Sequence, residues 1–272
     1  MSVTLTAGMR SNLFQLQNTT ALMEKTQVRL STGLKVNSAL DDPVAFFAAQ
    51  GHSQRANDLS ARKDAMGEAV GLVNAASNGI EAITDLIQAA KSLAQAASSS
   101  SDTTEQATLG SQYDTMLDNI TALGLDSGYK GTNLLNGTSE TSVVTFDAAG
   151  DRTLTLTGFN SEVNSGLDIA DSSSWEVASS TNVDTCISNL DDAITTLRTN
   201  SKSMANNLSI ITTRQSFTDK MMNTLNDGAA NLTNADMNEE SANMLMLQTR
   251  QALGTTSLSL ASQAAQSVLR LF

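Results

Sequence analysis

The chain has 272 residues and a formal net charge of −12, and 40% of its residues are apolar but only 4% are aromatic. This length allows one large domain or two modest ones. The acidic balance argues against a nucleic-acid partner, because phosphate contacts need clustered Lys and Arg. A core built of Leu, Ile, Val, Met and Ala is typical of coiled coils rather than of ligand pockets.

A single histidine, His52, and a single cysteine, Cys186, limit the chemistry that the chain can perform. One cysteine excludes an intrachain disulfide, and one histidine excludes His-rich metal sites and the paired-histidine zinc protease motif. The glycine-rich segment from Gly124 lacks the spacing of a phosphate-binding loop, since only three residues separate it from Gly128. We therefore predict no catalytic residue, no cofactor and no metal.

The N-terminal part is basic, since residues 1–40 carry four cations against one acid, Glu24, a balance of +3. Such a start is also found in transit peptides and membrane-surface helices, but we favour the basic face of an assembly helix. The N-terminal part contains no basic segment followed by an unbroken apolar stretch, so the sequence does not indicate a cleaved secretory signal. No run approaches the roughly 18 apolar residues of a membrane span, so we predict no membrane insertion.

The first predicted element is a helix whose apolar positions alternate at spacings of four and three, as in heptads. Its seam consists of Met9, Leu13, Leu16, Thr20, Met23, Gln27, Leu30 and Leu34. Gly33 interrupts the pattern. Asp42 then predicts the N-cap of a second helix, with Pro43 at its first position. Because Pro43 is the only proline, long helices are allowed on both sides of it.

The second helix is predicted to run from Pro43 to about Ala97. Ten apolar residues at three-four spacing form its stripe: Met66, Ala69, Val73, Ala76, Ile80, Ile83, Ile87, Ala90, Ala94 and Ala97. Additional apolar residues beside the stripe indicate burial on more than one side, as in a bundle. After a Ser-rich loop we predict a third helix, with Ser101 or Asp102 as its N-cap and Glu105 reaching back.

The middle of the chain changes its period from helical to two-residue. Two β-branched runs flank the turn residues Ala148–Asp151, which predicts a β-hairpin over Val143–Phe159. Beyond it, Trp175 is predicted to be a packing anchor. Only the segment of about residues 137–181 separates the helical arms of the two halves of the chain.

The C-terminal half returns to heptads. A long helix is predicted from about Asn182, followed by a break at Asn231–Asn238 and a last helix. The last helix carries two apolar faces, which implies contacts on two sides. The order helix, helix, helix, hairpin, helix, helix predicts a mainly α fold. In it the N- and C-terminal arms form a long antiparallel bundle or coiled coil, with a small β-hairpin region in the middle.

Three segments resemble bacterial flagellins, namely 29–43 (RLSTGLKVNSALDDP), 131–137 (GTNLLNG) and 263–272 (QAAQSVLRLF). They occur in the family's order and at the expected ends, and the resemblance as a whole extends over nearly the entire chain. The first segment is the most specific. Its matching residues are Arg29, Leu30, Ser31, Gly33, Leu34, Asn37, Ser38, Ala39, Asp41 and Asp42.

The resemblance implies a structural subunit of the flagellar filament that assembles helically through its terminal helices. Residues 1–42 and 236–272 would form the coiled coil of an inner tube, and residues 43–235 a helical rod domain, with no large central variable domain. The implied inner-tube residues are Leu13, Leu16, Met23, Leu30, Leu34, Leu253, Leu258, Leu260, Val268 and Leu271.

The resemblance also implies partners and a location. The partners are many copies of the chain itself, other flagellins in the same filament, the flagellar export apparatus and its chaperone, and the hook-associated and cap proteins. The implied location is the secreted, extracellular filament, reached without a cleaved signal peptide. Four serines, Ser99, Ser100, Ser172 and Ser173, are candidates for O-glycosylation in Ser-rich stretches.

Three other functions compete with that of a filament flagellin. A hook–filament junction protein shares flagellin-like ends, but the segment 131–137 favours flagellin. An enzyme displayed on a filament needs an inserted catalytic domain, for which the chain has neither room nor histidines. A generic coiled-coil scaffold predicts soluble rods of fixed size rather than open-ended filaments.

The terminal arms are expected to order only on assembly. The apolar seam of residues 9–34 is too sparse to offset the entropy of fixing that backbone with a single partner helix. We predict that limited proteolysis of the monomer trims both ends first, whereas the same ends resist cleavage in the polymer. Uniform resistance along the monomer would contradict this expectation.

Overall fold

The computed structural model describes residues 7–137, 140–175 and 180–269, and helices dominate these ranges. The helices are α1 Ala7–Thr32, α2 Pro43–Ser99, α3 Thr103–Asp126, α4 Ser180–Thr233 and α5 Met237–Leu269. Between α3 and α4 lie the strands β1 Thr141–Thr145 and β2 Thr153–Thr157 and a single 3-10 turn, Ser172–Ser174. The backbone alone is described for Ser174, Ser180, Thr181, Val268 and Leu269. The predicted mainly α fold and element order are confirmed.

The chain divides into two compact units. The first contains the residues up to 54 and those from 224 onward, and the second contains residues 55–223. The predicted division, after residue 42 and before residue 236, differs from these limits and stays a prediction about the assembled protein. Charge is unequally shared, since residues 55–223 contain 10 Lys and Arg against 21 Asp and Glu, or −11 of the net −12.

The core of the second unit is the predicted stripe of α2. All ten of its residues are at most 5% exposed, and Met66, Ile83 and Ile87 have no exposed surface. The stripe belongs to one cluster with buried residues of α3, of the hairpin and of α4, including Ile120, Leu156, Leu190, Leu197 and Ile211. Burying apolar residues on this scale supplies the main driving force for folding of this unit.

Two ion pairs fix the direction of α2 against α4 in the second unit. Lys63 Nζ lies 2.7 Å from Asp219 Oδ1, and Lys91 Nζ lies 2.5 Å from Asp191 Oδ1. Because the numbers rise along α2 as they fall along α4, the two helices are antiparallel. The expected antiparallel bundle is thus confirmed within this unit.

The start of α2 follows the predicted cap. The helix begins at Pro43, and the Ala45 N–H donates to Asp42 Oδ1 over 3.0 Å. Pro43 needs no donor at this position, because the first helical N–H groups have no intrahelical acceptor.

The caps of α3 and α5 refine two predictions. Asp102 is the N-cap of α3, and its carboxylate accepts a hydrogen bond from the Thr104 N–H over 2.8 Å. The expectation that Glu105 reaches back to this cap is wrong, since Glu105 Oε2 instead accepts from the Ser100 hydroxyl over 2.6 Å. The predicted break before the last helix is short, because α4 continues to Thr233 and Asp236 caps α5.

The predicted hairpin is present, but its first strand begins at Thr141, two residues before the predicted segment, and its second strand ends within the segment at Thr157. Its strands are antiparallel, with Val143 opposite Thr155. Asp147 Oδ1 closes the turn by accepting from the N–H groups of Gly150 and Arg152 over 3.0 and 3.2 Å. These bonds to the ionised form, led by that from Arg152, lower the pKa of Asp147.

We predict that Ile83→Ala destabilises the second unit by about 2–5 kcal/mol, because it empties a fully buried site. The matched control is Ile210→Ala on α4, where 36% of the residue is exposed. Urea unfolding of the monomer followed by circular dichroism measures both free energies. Equal losses for the two variants would contradict the assignment of the core.

Candidate assembly interface

The two terminal helices pack against each other as an antiparallel pair in the first unit. Near one end, Asn12 Nδ2 donates to Ser257 Oγ over 3.2 Å. Closer in, a Cβ placed on Gly254 would lie only 2.9 Å from Leu16 Cδ2, so a side chain at this position would crowd Leu16. The small residue lets the two helix axes approach closely.

A partly buried ion pair joins the other end of this helix pair. Arg29 Nη1, in the last turn of α1, lies 2.7 Å from Glu240 Oε1, in the first turn of α5, and the Glu240 side chain is only 8% exposed. A cation at a helix C-terminus and an anion at a helix N-terminus each complement the helix dipole. The pair therefore fixes the register of α1 on α5.

The connection after α1 is fixed by backbone bonds. Gly33 adopts a left-handed conformation with φ +72°, which a residue with a side chain rarely adopts. Its carbonyl accepts from the Ala235 N–H over 2.9 Å, and the Lys35 N–H donates to the Thr233 carbonyl over 2.8 Å. These bonds tie the segment after α1 to the segment between α4 and α5.

The turn that follows is organised by Asp41. Its carboxylate accepts from the backbone N–H groups of Asn37 and Ser38 over 3.2 and 3.1 Å, and Lys25 Nζ lies 3.9 Å from it. The bond from Asn37, then that from Ser38, lowers the pKa of Asp41, because each favours the ionised carboxylate. Part of the flagellin-like motif therefore has local structural roles.

The other residues of the motif surround these groups. Leu30, Leu34, Ser38 and Ala39 are half-buried, whereas Ser31, Asn37 and the capping residue Asp42 are exposed. The motif thus ends one helix, closes a turn and starts the next helix within fourteen residues.

The predicted inner-tube residues fall into two groups. Leu16, Met23, Leu30, Leu34 and Leu258 are half-buried. Leu13, Leu253 and Leu260 are exposed by 41%, 66% and 61%. The side chain of Val268 and the whole of Leu271 lie outside the described part of the chain.

The two apolar faces predicted for the last helix include Leu253 and Leu260, whereas sequence reasoning missed Met246 on that helix and a second apolar register on α1. On α1, Phe14 and Val28 are 64% and 48% exposed, and exposed Ala21 lies midway at heptad spacing. On α5, Met246 shares heptad spacing with Leu253 and Leu260 and is 46% exposed. We call these two sets the α1 outer stripe (Phe14, Ala21 and Val28) and the α5 outer stripe (Met246, Leu253 and Leu260). The signal in the sequence for the α1 outer stripe is a second heptad phase beside the seam.

The four serine candidates for glycosylation differ in access. Ser99 and Ser173 are exposed, whereas Ser100 and Ser172 are half-buried. The Ser172 hydroxyl donates to Asp114 Oδ2 over 2.6 Å, and the Ser99 hydroxyl donates to the Gln95 carbonyl over 2.9 Å. A glycan on Ser172 would displace the bond to Asp114.

Cys186 belongs to a packed aromatic cluster. It is 1% exposed and accepts from Trp175 Nε1 over 3.2 Å, and the Trp175 ring lies 4.8 Å from the ring of Tyr113. Burial raises the pKa of the Tyr113 phenol, whose hydroxyl donates to the Ala170 carbonyl over 3.0 Å. Trp175 is therefore the packing anchor that its sequence position predicts.

Metal binding and membrane insertion also bear on function. Within residues 7–137, 140–175 and 180–269, no three His, Cys, Asp or Glu residues are grouped closely enough to hold a metal ion. In those same ranges, no helix combines the length and hydropathy needed to cross a bilayer.

We predict that Glu240→Ala weakens the terminal helix pair by about 1.5–3 kcal/mol, because it removes a charge-assisted hydrogen bond. Arg29 would then lose its partner, and its Nε already has no hydrogen-bond partner among the described residues. Hydrogen exchange of the α5 amides in the polymer, where the terminal arms are ordered, should accelerate. Glu239→Ala, in the same turn but exposed, is the matched control. Equal acceleration in both variants would contradict the role of the ion pair.

Comparison with known proteins identifies the family. The family model for the bacterial flagellin N-terminal helical region matches residues 5–140. The family model for the bacterial flagellin C-terminal helical region matches residues 181–272. The chain is 30% identical to flagellin FljM and 31% identical to flagellin FljN of Caulobacter vibrioides, across all of this chain and 98% of each relative. It is 28% identical to a flagellin of Brucella melitensis over 94% of both chains. The chain therefore belongs to the bacterial flagellin family and is a structural subunit of the flagellar filament.

Proposed function

We propose that the chain polymerises through the outer stripes of its terminal helix pair, which bind neighbouring copies in the inner tube of the filament. The observation that carries this proposal is the presence of two exposed, heptad-spaced apolar stripes on helices that already share a seam. Isolated exposed apolar residues are ordinary, but ordered rows of them mark interaction surfaces.

The two stripes differ, which favours an open-ended polymer. The α1 outer stripe contains Phe14 and Val28, whereas the α5 outer stripe contains Met246, Leu253 and Leu260. Contacts between unlike patches generate helical assemblies when the rotation between copies does not close a ring. Each copy can then bind one neighbour through α1 and another through α5.

We further propose that two parts of the chain have different roles in the filament. Residues 1–42 and 236–272 form the inner-tube coiled coil, and residues 43–235 form the outer rod. Support comes from the burial pattern, since Met9 and Thr26 are the buried residues of α1, whereas the second unit has a continuous core. A helix with so little burial gains most of its packing from neighbouring copies.

The same exposed stripes would also bind the transient partners of the chain. An export chaperone would cover them before assembly, and the export apparatus would pass the chain outward without cleaving a signal peptide. Hook-associated and cap proteins would meet them at the two ends of the filament. Other flagellins with similar stripes would copolymerise. Catalysis has no place in this function, and the hook–filament junction alternative is not favoured, because the whole-length relatives are flagellins.

We predict that Leu253→Asp prevents polymerisation, because it places a carboxylate in the middle of the α5 outer stripe. Leu125→Asp, at a 58% exposed site in the second unit, is the matched control and should still form filaments. Sedimentation and electron microscopy under polymerising conditions give the readout, and circular dichroism of each monomer checks its helix content. Normal filaments from a well-folded Leu253→Asp variant would refute the proposed interface.

A further inference from the structure

An apolar groove lies on the second unit between α2 and α3, and nothing in the described chain fills it. Its volume is about 650 Å³, and it is lined by Ala89, Ser92, Leu93, Gln112, Thr115, Met116 and Asn119. None of these residues is charged, although residues 55–223 carry a net charge of −11. An uncharged groove in so acidic a unit is a place where another copy can approach without direct charge repulsion.

An apolar ridge stands on the first unit at the start of α2. Leu40, Val44 and Phe47 are exposed by 97%, 79% and 61%. Val44 and Phe47 are three residues apart on one helix face, and Leu40 precedes them in the turn that Asp41 organises. We call these three residues the ridge.

The ridge is held in place before it meets a partner. The Phe46 and Phe47 rings pack edge to face with centroids 5.6 Å apart. The Asp42 cap fixes the first turn of the helix that carries Val44 and Phe47. A preorganised apolar projection loses little conformational entropy on binding.

We propose that the ridge of one copy docks into the groove of a second copy in the filament. The contact joins two different patches of the same chain, so it can repeat without closing on itself. It goes beyond the terminal-helix interface and rests on the proposed polymerisation, because it adds a contact between the first unit of one subunit and the second unit of another.

The size of the ridge favours a copy already held in a polymer over a free copy as the occupant. Three partly exposed side chains offer on the order of 400 Å², since an aromatic side chain alone buries about 150–250 Å². A stable dimer needs about 800 Å² on each partner. The contact is therefore too small to hold two free copies together. It forms where other contacts already hold the same two copies.

A cross-linking experiment tests the contact. Val44→Cys and Ser92→Cys are prepared as separate full-length variants, with the natural Cys186 retained because it is buried. The two variants are mixed, polymerised and oxidised. The expected result is a disulfide-linked dimer in the mixed polymer, with none from either variant alone and none from the unpolymerised mixture. Val44→Cys mixed with Leu125→Cys is the control pair and should give no dimer.

Filaments that form from the mixture without the 44–92 cross-link would overturn the ridge–groove contact and leave the terminal-helix interface standing. A cross-link in the unpolymerised mixture would also overturn it, because it would indicate a soluble dimer. Failure of the unmodified chain to polymerise would overturn both proposals.

A second measurement does not depend on cysteines. Phe47→Ser should raise the critical concentration for polymerisation by about tenfold, because an exposed phenylalanine loses its site in the next copy. Phe217→Ser, at a 53% exposed site outside the ridge, is the control. On the groove side, Thr115→Glu should act like Phe47→Ser, and Thr108→Glu, exposed on the same helix, should not. Equal critical concentrations within each pair would exclude the contact.

Discussion

Apolar stripes at three-four spacing must be covered, and this constraint governs the whole molecule. In the second unit the stripe of α2 finds its cover within the chain, where α3, the hairpin and α4 leave it at most 5% exposed. In the first unit the same kind of pattern is only partly covered. The covered stripe gives the second unit a core of its own. The partly covered stripes of the first unit leave the terminal helix pair to be completed by neighbouring copies.

Polar groups supply the register that apolar stripes leave loosely defined. A heptad seam can slide by one repeat at modest cost, whereas the Arg29–Glu240 pair has one position of good geometry. Ion pairs between α2 and α4 act in the same way at Lys63 and Lys91, although each is partly solvent-exposed and so contributes little to stability. The fold therefore draws its stability from apolar burial, and its alignment depends on a few charges.

The flagellin-like motif joins α1 to α2 within the first unit by chemistry that is local. Gly33 ends α1 in a conformation suited to glycine, Asp41 gathers backbone N–H groups, and Asp42 with Pro43 begins α2. Because this turn is fixed, the ridge, which begins in the turn at Leu40 and continues on α2, is also fixed. The same segment thus serves the fold of one copy and, in our proposal, the contact with the next.

The sequence by itself determined the helices, the hairpin, the core stripe of α2 and the cap at Asp42, because each depends on the spacing of residues close together in the chain. Tertiary structure decided which faces of α1 and α5 stay exposed, since Phe14, Val28 and Met246 differ from seam residues only in what lies opposite them. It also decided that Arg29 meets Glu240, 211 residues away. A local pattern cannot contain this information, because helix pairing is set by how distant segments share one packed surface.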